Sequence, residues 1–173
     1  MMCGRQRFAT VVVTAAIGIA VVFVPSHEGR NLVAYLDPIG IPTICEGWTR
    51  GVQLGDVATD AQCDDLTQRG LLEADAVFQR WVPESVRANM PASAYAMFLS
   101  FIYNVGPGGH GVKDGFVWLK SGRHSSMLLQ LQAGNIVDAC QQLPAWVTAG
   151  GRKLRGLERR RAEEMRICLS DLS

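Results

Sequence analysis

Residues 28–43 read EGRNLVAYLDPIGIPT, from Glu28 through Asp37 to Thr43, with eight residues between the two carboxylates and five between Asp37 and the threonine. Such a pair suits glycosidic cleavage, which needs one protonated carboxyl to donate to the leaving oxygen and one carboxylate across the bond. Environment, rather than residue type, would divide the labour. Glu28 would keep its proton if apolar walls shield it, while Asp37 in a polar turn would stay ionised. Taken singly, each residue has a plainer role: an acid in a helix's first turn, a turn former before Pro38, a strand residue. The joint spacing is what points to chemistry.

Outward from this stretch, Ser26 is placed to cap a short helix running to about Tyr35. Asp37 to Gly55 is punctuated by Pro38, Gly40, Pro42, Gly47, Gly51 and Gly55, with β-prone pieces between, which predicts a small sheet of hairpins. Thr59 then opens a helix through Val82, with Leu66, Leu72, Ala76 and Phe78 assigned to its apolar side. Pro83 to Met90 reads as a short helix or loop. The segment from Ala92 to Asn104, ASAYAMFLSFIYN, is apolar nearly all round and predicts the buried central helix, stopped at Gly106. Further helices are expected over Phe116–Lys120, His124–Gln132, Ile136–Leu143 and Leu157–Leu169. The fold class is α+β, mostly α: a small antiparallel sheet lobe and a helical lobe, preceded by an N-terminal hydrophobic helix.

Upstream, Arg5 and Arg7 precede the uncharged run FATVVVTAAIGIAVVFV, from Phe8 to Val24. A basic flank before a short apolar stretch is the layout of an export signal, with the positive residues left inside. Its length is at the lower limit for a membrane span, where about 20 apolar residues are usual. Ala, Thr and Gly weaken its hold on a bilayer. A buried core helix is the competing reading. Glu28 stands only four residues past Val24, so cleavage at Ser26 would leave it at a frayed terminus. Residues 1–24 are therefore read as an uncleaved signal anchor, and 25–173 as the catalytic domain.

The chain has 173 residues, 48% of them hydrophobic and 19% charged, with net charge +1. That allows one compact domain with a real core and excludes a nucleic-acid partner based on bulk charge. Arg152, Lys153, Arg155, Arg159, Arg160, Arg161 and Arg166 concentrate positive charge near the C-terminus, where a solvated helix face or an anionic polymer would account for them. Cys3, Cys45, Cys63, Cys140 and Cys168 make no clustered metal pattern, so no metal site is expected. In an exported chain they suggest two disulfides and one spare thiol. Proximity favours Cys45 with Cys63 and Cys140 with Cys168, though four cysteines permit three pairings.

Glu-x8-Asp-x5-Thr resembles the active-site triad pattern of the T-even and lambdoid phage lysozymes. Ile44-Cys45-Glu46-Gly47, Phe101 through Tyr103-Asn104 to Gly106, Trp146 with Ala149-Gly150-Gly151, and Gly156-Leu157 leading into Arg160-Arg161 and Glu164 follow in the same order. The resemblance covers about Ser26 to Cys168. It implies a muramidase acting on the β-1,4 bond between N-acetylmuramic acid and N-acetylglucosamine in peptidoglycan, with host lysis as the outcome. Glu28 would be the general acid, Asp37 would stabilise the oxocarbenium-like transition state or help activate water, and Thr43 would position that water. Tyr103 and Asn104 would line the saccharide cleft. The lambdoid relatives also place two disulfides at the proximity pairs. No cofactor is implied, and a monomer is expected.

The N-terminal run, in turn, resembles the signal-arrest-release segments of some phage endolysins. It implies a protein held inactive at the host inner membrane through residues 8–24, then released, active, into the periplasm. Trp48 departs from the pattern, standing where many relatives have His, and Pro42 before Thr43 suggests an edge or bulge. Cys3 precedes the apolar run instead of lying within it. His27 beside Glu28 is expected to point elsewhere, His110 and His124 to lie on the surface, and Trp81, Trp118 and Trp146 to serve the core rather than sugar. Arg160 and Arg161 would either meet the substrate or hold the C-terminal helix near Glu28. Two rival readings are a lytic transglycosylase, against which Asp37 and Thr43 speak, and a non-catalytic peptidoglycan-binding protein, which leaves the carboxylate spacing unexplained. A holin-like role for the first 24 residues fits poorly with the large exported domain.

Overall fold

The computed structural model describes residues 3–37 and 40–172, with side chains from Val12 onward. Helix α1 (Cys3–Glu28) leads into strands β1 (Asn31–Leu36) and β2 (Pro42–Cys45). Helices α2 (Asp60–Trp81), α3 (Glu84–Arg87), α4 (Ala92–Val105), α5 (Ser126–Gln132) and α6 (Ile136–Gln141) follow. After a 3₁₀ turn at Leu143–Ala145, a small hairpin of β3 (Thr148–Ala149) and β4 (Arg152–Lys153) introduces α7 (Arg155–Leu169). The result is the expected mostly helical fold with small antiparallel sheets.

The core forms around α4, whose residues Ser93 through Ile102 are all buried. From α2, Phe78 stacks on Phe98 and meets Tyr95 edge-on, with ring centroids 5.7 and 4.8 Å away. Helix α1 packs against α4 and contributes Ala16, Ala20, Phe23 and Val24 to the same core. Their spacing puts them on one helical face, and the two alanines let the backbones come close. Among the described residues no helix is long and apolar enough to cross a membrane. In this conformation one face of residues 12–24 is part of the core, while Ile19 and Val22 are exposed. The side chain of Cys3 lies outside the described residues.

Two expected helices are corrected. Ser26 does not open a helix towards Tyr35: its hydroxyl donates to the Phe23 carbonyl (2.6 Å), within the last turn of α1. The helix ends at Glu28 because Gly29 takes a left-handed conformation (φ +73°), and the chain then leaves as a strand. Phe116–Lys120 is not helical either. The amides of Phe116, Val117 and Trp118 bond back to the carbonyls of Gly106 and Pro107. A Cβ on Gly108 would stand 2.1 Å from the Trp118 carbonyl oxygen, so this cross-braced loop needs glycine there.

Thr59 does cap α2, forming a reciprocal capping box with Gln62. Of the residues assigned to its apolar side, Phe78 is buried and Leu66 packs on the small core, but Leu72 and Ala76 are exposed; Cys63, Thr67, Leu71, Ala74 and Asp75 complete the buried face. Cys63 on that face forms a disulfide with Cys45, and a second disulfide joins Cys140 to Cys168. These are the two proximity pairs. The second ties α6 to α7 across 28 residues of chain. Replacing Cys140 and Cys168 together by alanine should lower unfolding free energy by about 3–4 kcal/mol, seen as a lower denaturant midpoint. A loss below about 1 kcal/mol would mean that the buried ion pairs hold α7 without the crosslink.

Candidate active site

Glu28 is the last residue of α1, at a helix end rather than a helix start. Its Oε1 accepts a hydrogen bond from Asn104 Nδ2 (2.9 Å) on α4 and pairs with Arg160 Nη1 on α7. Its walls are thus a guanidinium and an amide, not the apolar enclosure considered above. The side chain is 23% exposed, so a substrate can reach it. Oε2 makes no hydrogen bond among the described residues.

Behind Glu28 lies a closed polar ring. Arg160 donates through Nε to Glu164 Oε1 (3.0 Å) and through Nη2 to Ser100 Oγ (3.2 Å). Ser100 in turn donates to Glu164 Oε1 (2.8 Å). Arg161 pairs with Glu164 Oε2, bonds Asn104 Oδ1, and lies over the Phe101 ring at 4.8 Å. Burial pulls the Arg161 guanidinium below its usual range, against the opposing pull of Glu164. Arg160, Arg161 and Glu164 are all buried. The two arginines therefore clamp α7 to α4, and Arg160 also fixes the end of α1. His27, next to Glu28, faces away, with Nε2 3.2 Å from Glu163.

Asp37 and Thr43 sit on the hairpin that follows. Strands β1 and β2 pair antiparallel with Tyr35 opposite Thr43 and an irregularity towards Asn31. Asp37 closes the turn: its Oδ1 accepts from the Ile41 amide (2.8 Å), and its own amide donates to the Ile41 carbonyl. Asp37 thus forms the turn, as expected; Pro38, which follows it, lies outside the described residues. Thr43 is buried and donates to the Ile41 carbonyl (2.9 Å). Asp37 lies in the turn and Thr43 on the strand that leaves it, and Gly29 and Arg30 carry the chain from Glu28 into β1 of the same hairpin.

What orients this lobe was not singled out from sequence. Arg30 donates to buried Glu46 (2.5 Å) and to Asp60 and Asp64 on α2 (2.9 and 2.6 Å). Thr67 donates to the other Glu46 oxygen (3.0 Å). The three carboxylates push the Arg30 guanidinium further up, keeping it charged. Cys45 is held at φ +56°, in the left-handed region that only glycine enters freely. The disulfide and the Ile44–Trp48 backbone pair enforce it. Trp48 packs on the small core and donates Nε1 to the Arg50 carbonyl.

Tyr103 lies beside the site, its hydroxyl 3.3 Å from the Glu46 carbonyl. Its phenol is pushed up to about 12, by burial first and by the Glu28 and Glu46 charges second, with the Thr67 hydroxyl acting against them. It stays protonated at neutral pH. Gly70 on α2 makes room for its ring, since a Cβ there would lie 2.4 Å from Tyr103 Cε2. Tyr103, Gly70, Trp48, Arg50 and Glu73 line a cavity of about 400 Å³ between the sheet lobe and the helices. Asn104, next in sequence, reaches Glu28. Of the aromatic and basic residues considered earlier, Trp81, Trp118 and Trp146 pack on the main core, and His124 is half-buried against Trp81 and Trp118. The cysteine sulfurs beside Glu46 are joined in a disulfide and offer no thiolate to a metal.

Residues 25–164 match the phage lysozyme family. The SAR-endolysin of Enterobacteria phage PA-2 is 32% identical, over 95% of this chain and 94% of its own length. Among solved structures, the active form of P1 phage endolysin Lyz superposes with a TM-score of 0.74 at 26% identity, covering 95% of each chain. The secreted inactive form of the same endolysin gives 0.51 at 27% identity, covering 72% of this chain and 77% of that one. The chain belongs to the phage lysozyme family. Within it, this is a phage-type endolysin, an enzyme that hydrolyses peptidoglycan.

Proposed function

We propose that the protein is a muramidase cutting the β-1,4 bond between N-acetylmuramic acid and N-acetylglucosamine, with Glu28, Asp37 and Thr43 as its catalytic residues. The observation that carries this reading is the fastening of Glu28 Oε1 by Asn104 and Arg160, at the point where α1 hands over to the Asp37 hairpin. With Oε1 occupied, Oε2 is the oxygen left to hand a proton to the leaving oxygen. Asp37, its Oδ1 aligned by the Ile41 amide, faces the developing positive charge or takes a proton from the attacking water. Thr43 positions that water. A water-first route inverts the anomeric carbon and calls for carboxyl groups ~6.5–9.5 Å apart. Tyr103 and Asn104 line the saccharide path. Neither metal nor cofactor enters this scheme.

Mass spectrometry of fragments released from purified peptidoglycan tests the reaction. Reducing-end muropeptides are the expected product. A 1,6-anhydro product would replace hydrolysis with transglycosylation.

The proposal extends to where the enzyme works. Residues 1–24 act first as a signal anchor, holding an exported monomer at the inner membrane through residues 8–24 until release into the periplasm. The relatives' designation as SAR-endolysins and the weakly apolar run support this. Modest apolarity is what a segment needs if it is to leave a bilayer and be buried against α4. The domain beginning at residue 25 then gains α1 as part of its core.

A further inference from the structure

Glu28 ends a turn that its own helix holds weakly. Pro25, inside α1, has no amide to give to the Val21 carbonyl four residues back, so the ladder is interrupted just before the carboxylate. Upstream of that gap, Phe23 and Val24 are anchored in the main core. Downstream, Gly29 turns the chain out of the helix at φ +73°. Ser26, His27 and Glu28 form the short turn between these two points, with one extra local bond from the Ser26 hydroxyl to the Phe23 carbonyl.

Two neighbouring contacts fasten this turn to α7. Glu28 Oε1 pairs with Arg160, and His27 Nε2 lies 3.2 Å from Glu163 Oε2. Arg160 and Glu163 are three residues apart on α7 and so stand side by side on it. His27 and Glu28 are consecutive on α1, so their side chains leave the helix about 100° apart and meet α7 at separate points. The imidazole is only 17% exposed and packs on Phe23, with ring centroids 4.4 Å apart. Glu163 takes no part in the buried ring, where its neighbour Glu164 serves both arginines. Arg160 and Asn104 both grip Oε1, a single point about which the side chain and its turn can still pivot. His27 supplies the second point.

We propose that His27 is a positioning residue: with Glu163 it locks the proline-weakened last turn of α1 onto α7, and so aims the Glu28 carboxyl at the bond being cut. It acts through Glu28 and touches no substrate. The inference rests on Glu28 being the catalytic acid.

The full-length protein is compared with Glu163→Gln, His27→Phe and the two changes together. His27→Phe keeps a ring against Phe23 and loses the polar link. Glu163→Gln alters a side chain that is 47% exposed, so folding is not at stake and the melting temperature should barely move. Each change should lower kcat on purified peptidoglycan about three- to tenfold with KM held within about twofold, because aim is lost and binding is not. The double variant should be no slower than the slower single one, since both remove the same contact. His27→Lys, which again sets a cation opposite Glu163, should recover most of the rate, and none of it once Glu163→Gln is added. Hydrogen exchange reads the latch without catalysis: the His27 and Glu28 amides should exchange several-fold faster in Glu163→Gln, with α4 unchanged. An unchanged kcat, losses that multiply in the double variant, or a rise in KM that accounts for the loss would overturn the positioning role, whatever the exchange shows. A Glu28→Gln protein as active as the wild type, with amides that still loosen in Glu163→Gln, would instead overturn the catalytic reading of Glu28. The positioning role would fall with it, and the latch would stand as a contact of the fold alone.

Discussion

Glu28→Gln should cost roughly a hundred- to ten-thousandfold in the release of reducing ends from peptidoglycan, while the fold persists. The amide can still accept from Asn104 Nδ2, and Arg160 keeps Glu164 and Ser100 as partners. The glutamine has no proton of suitable acidity to donate. Its stability cost should be limited to one exchanged charge-assisted contact, within about 2 kcal/mol. Thermal unfolding followed by circular dichroism, beside the activity assay, separates the two effects. A folded variant with undiminished hydrolysis would remove Glu28 from the chemistry and favour a lone role for the hairpin carboxylate. A variant that fails to fold would make Glu28 a structural end-piece of α1, and Glu28→Asp would then decide whether reach or charge matters.

The pieces of this site that were legible in the sequence are the local ones. Glu28, Asp37 and Thr43 lie within one short stretch, and their offsets survive any uncertainty about the elements around them. The Thr59–Gln62 capping box and the apolar α4 are likewise written in adjacent residues. What could not be read depends on tertiary context. Arg160 sits 132 residues from Glu28, so sequence allowed it to face substrate or to fasten α7, and packing chose the second. Which of α2's apolar residues face inward depends on partners outside the helix, the main core against Leu71, Ala74 and Phe78 and Cys45 against Cys63. Phe116–Lys120 has helix-compatible residues, yet two glycines bring another backbone close enough to take its hydrogen bonds. Ser26 has a side chain suited to cap a helix from either side. Its fate depended on whether α1 continues past Pro25, and the burial of Phe23 and Val24 decided that it does. The run from Phe8 to Val24 is the deepest ambiguity. Its weak apolarity suits both a bilayer and the groove along α4; the basic flank and terminal position favour the bilayer, and only tertiary packing reveals the second home.

Glu164→Gln should be the most destabilising single change at the site, by about 3–5 kcal/mol. Glu164 is fully buried and serves both arginines: Oε1 takes Arg160 Nε and the Ser100 hydroxyl, and Oε2 takes Arg161 Nη1. Without its charge, two buried guanidiniums face Glu28 alone, and that carboxylate is partly exposed. For a chain of this size the expected fall in melting temperature is roughly 10 °C. The cost arises from uncompensated charge rather than lost volume, since glutamine is nearly isosteric. A second variant therefore distinguishes the causes. Adding Arg161→Met to Glu164→Gln removes one of the stranded cations and leaves an apolar chain on the Phe101 ring, so it should recover a substantial part of the loss. If the double variant is less stable than Glu164→Gln alone, the ring is held by its hydrogen-bond geometry, and charge balance is secondary. Activity should follow a different order. Arg161 reaches Asn104, and Asn104 orients Glu28, so the double variant should regain stability while remaining slow. A return of full activity together with stability would show that Arg160 by itself suffices to aim the catalytic carboxyl.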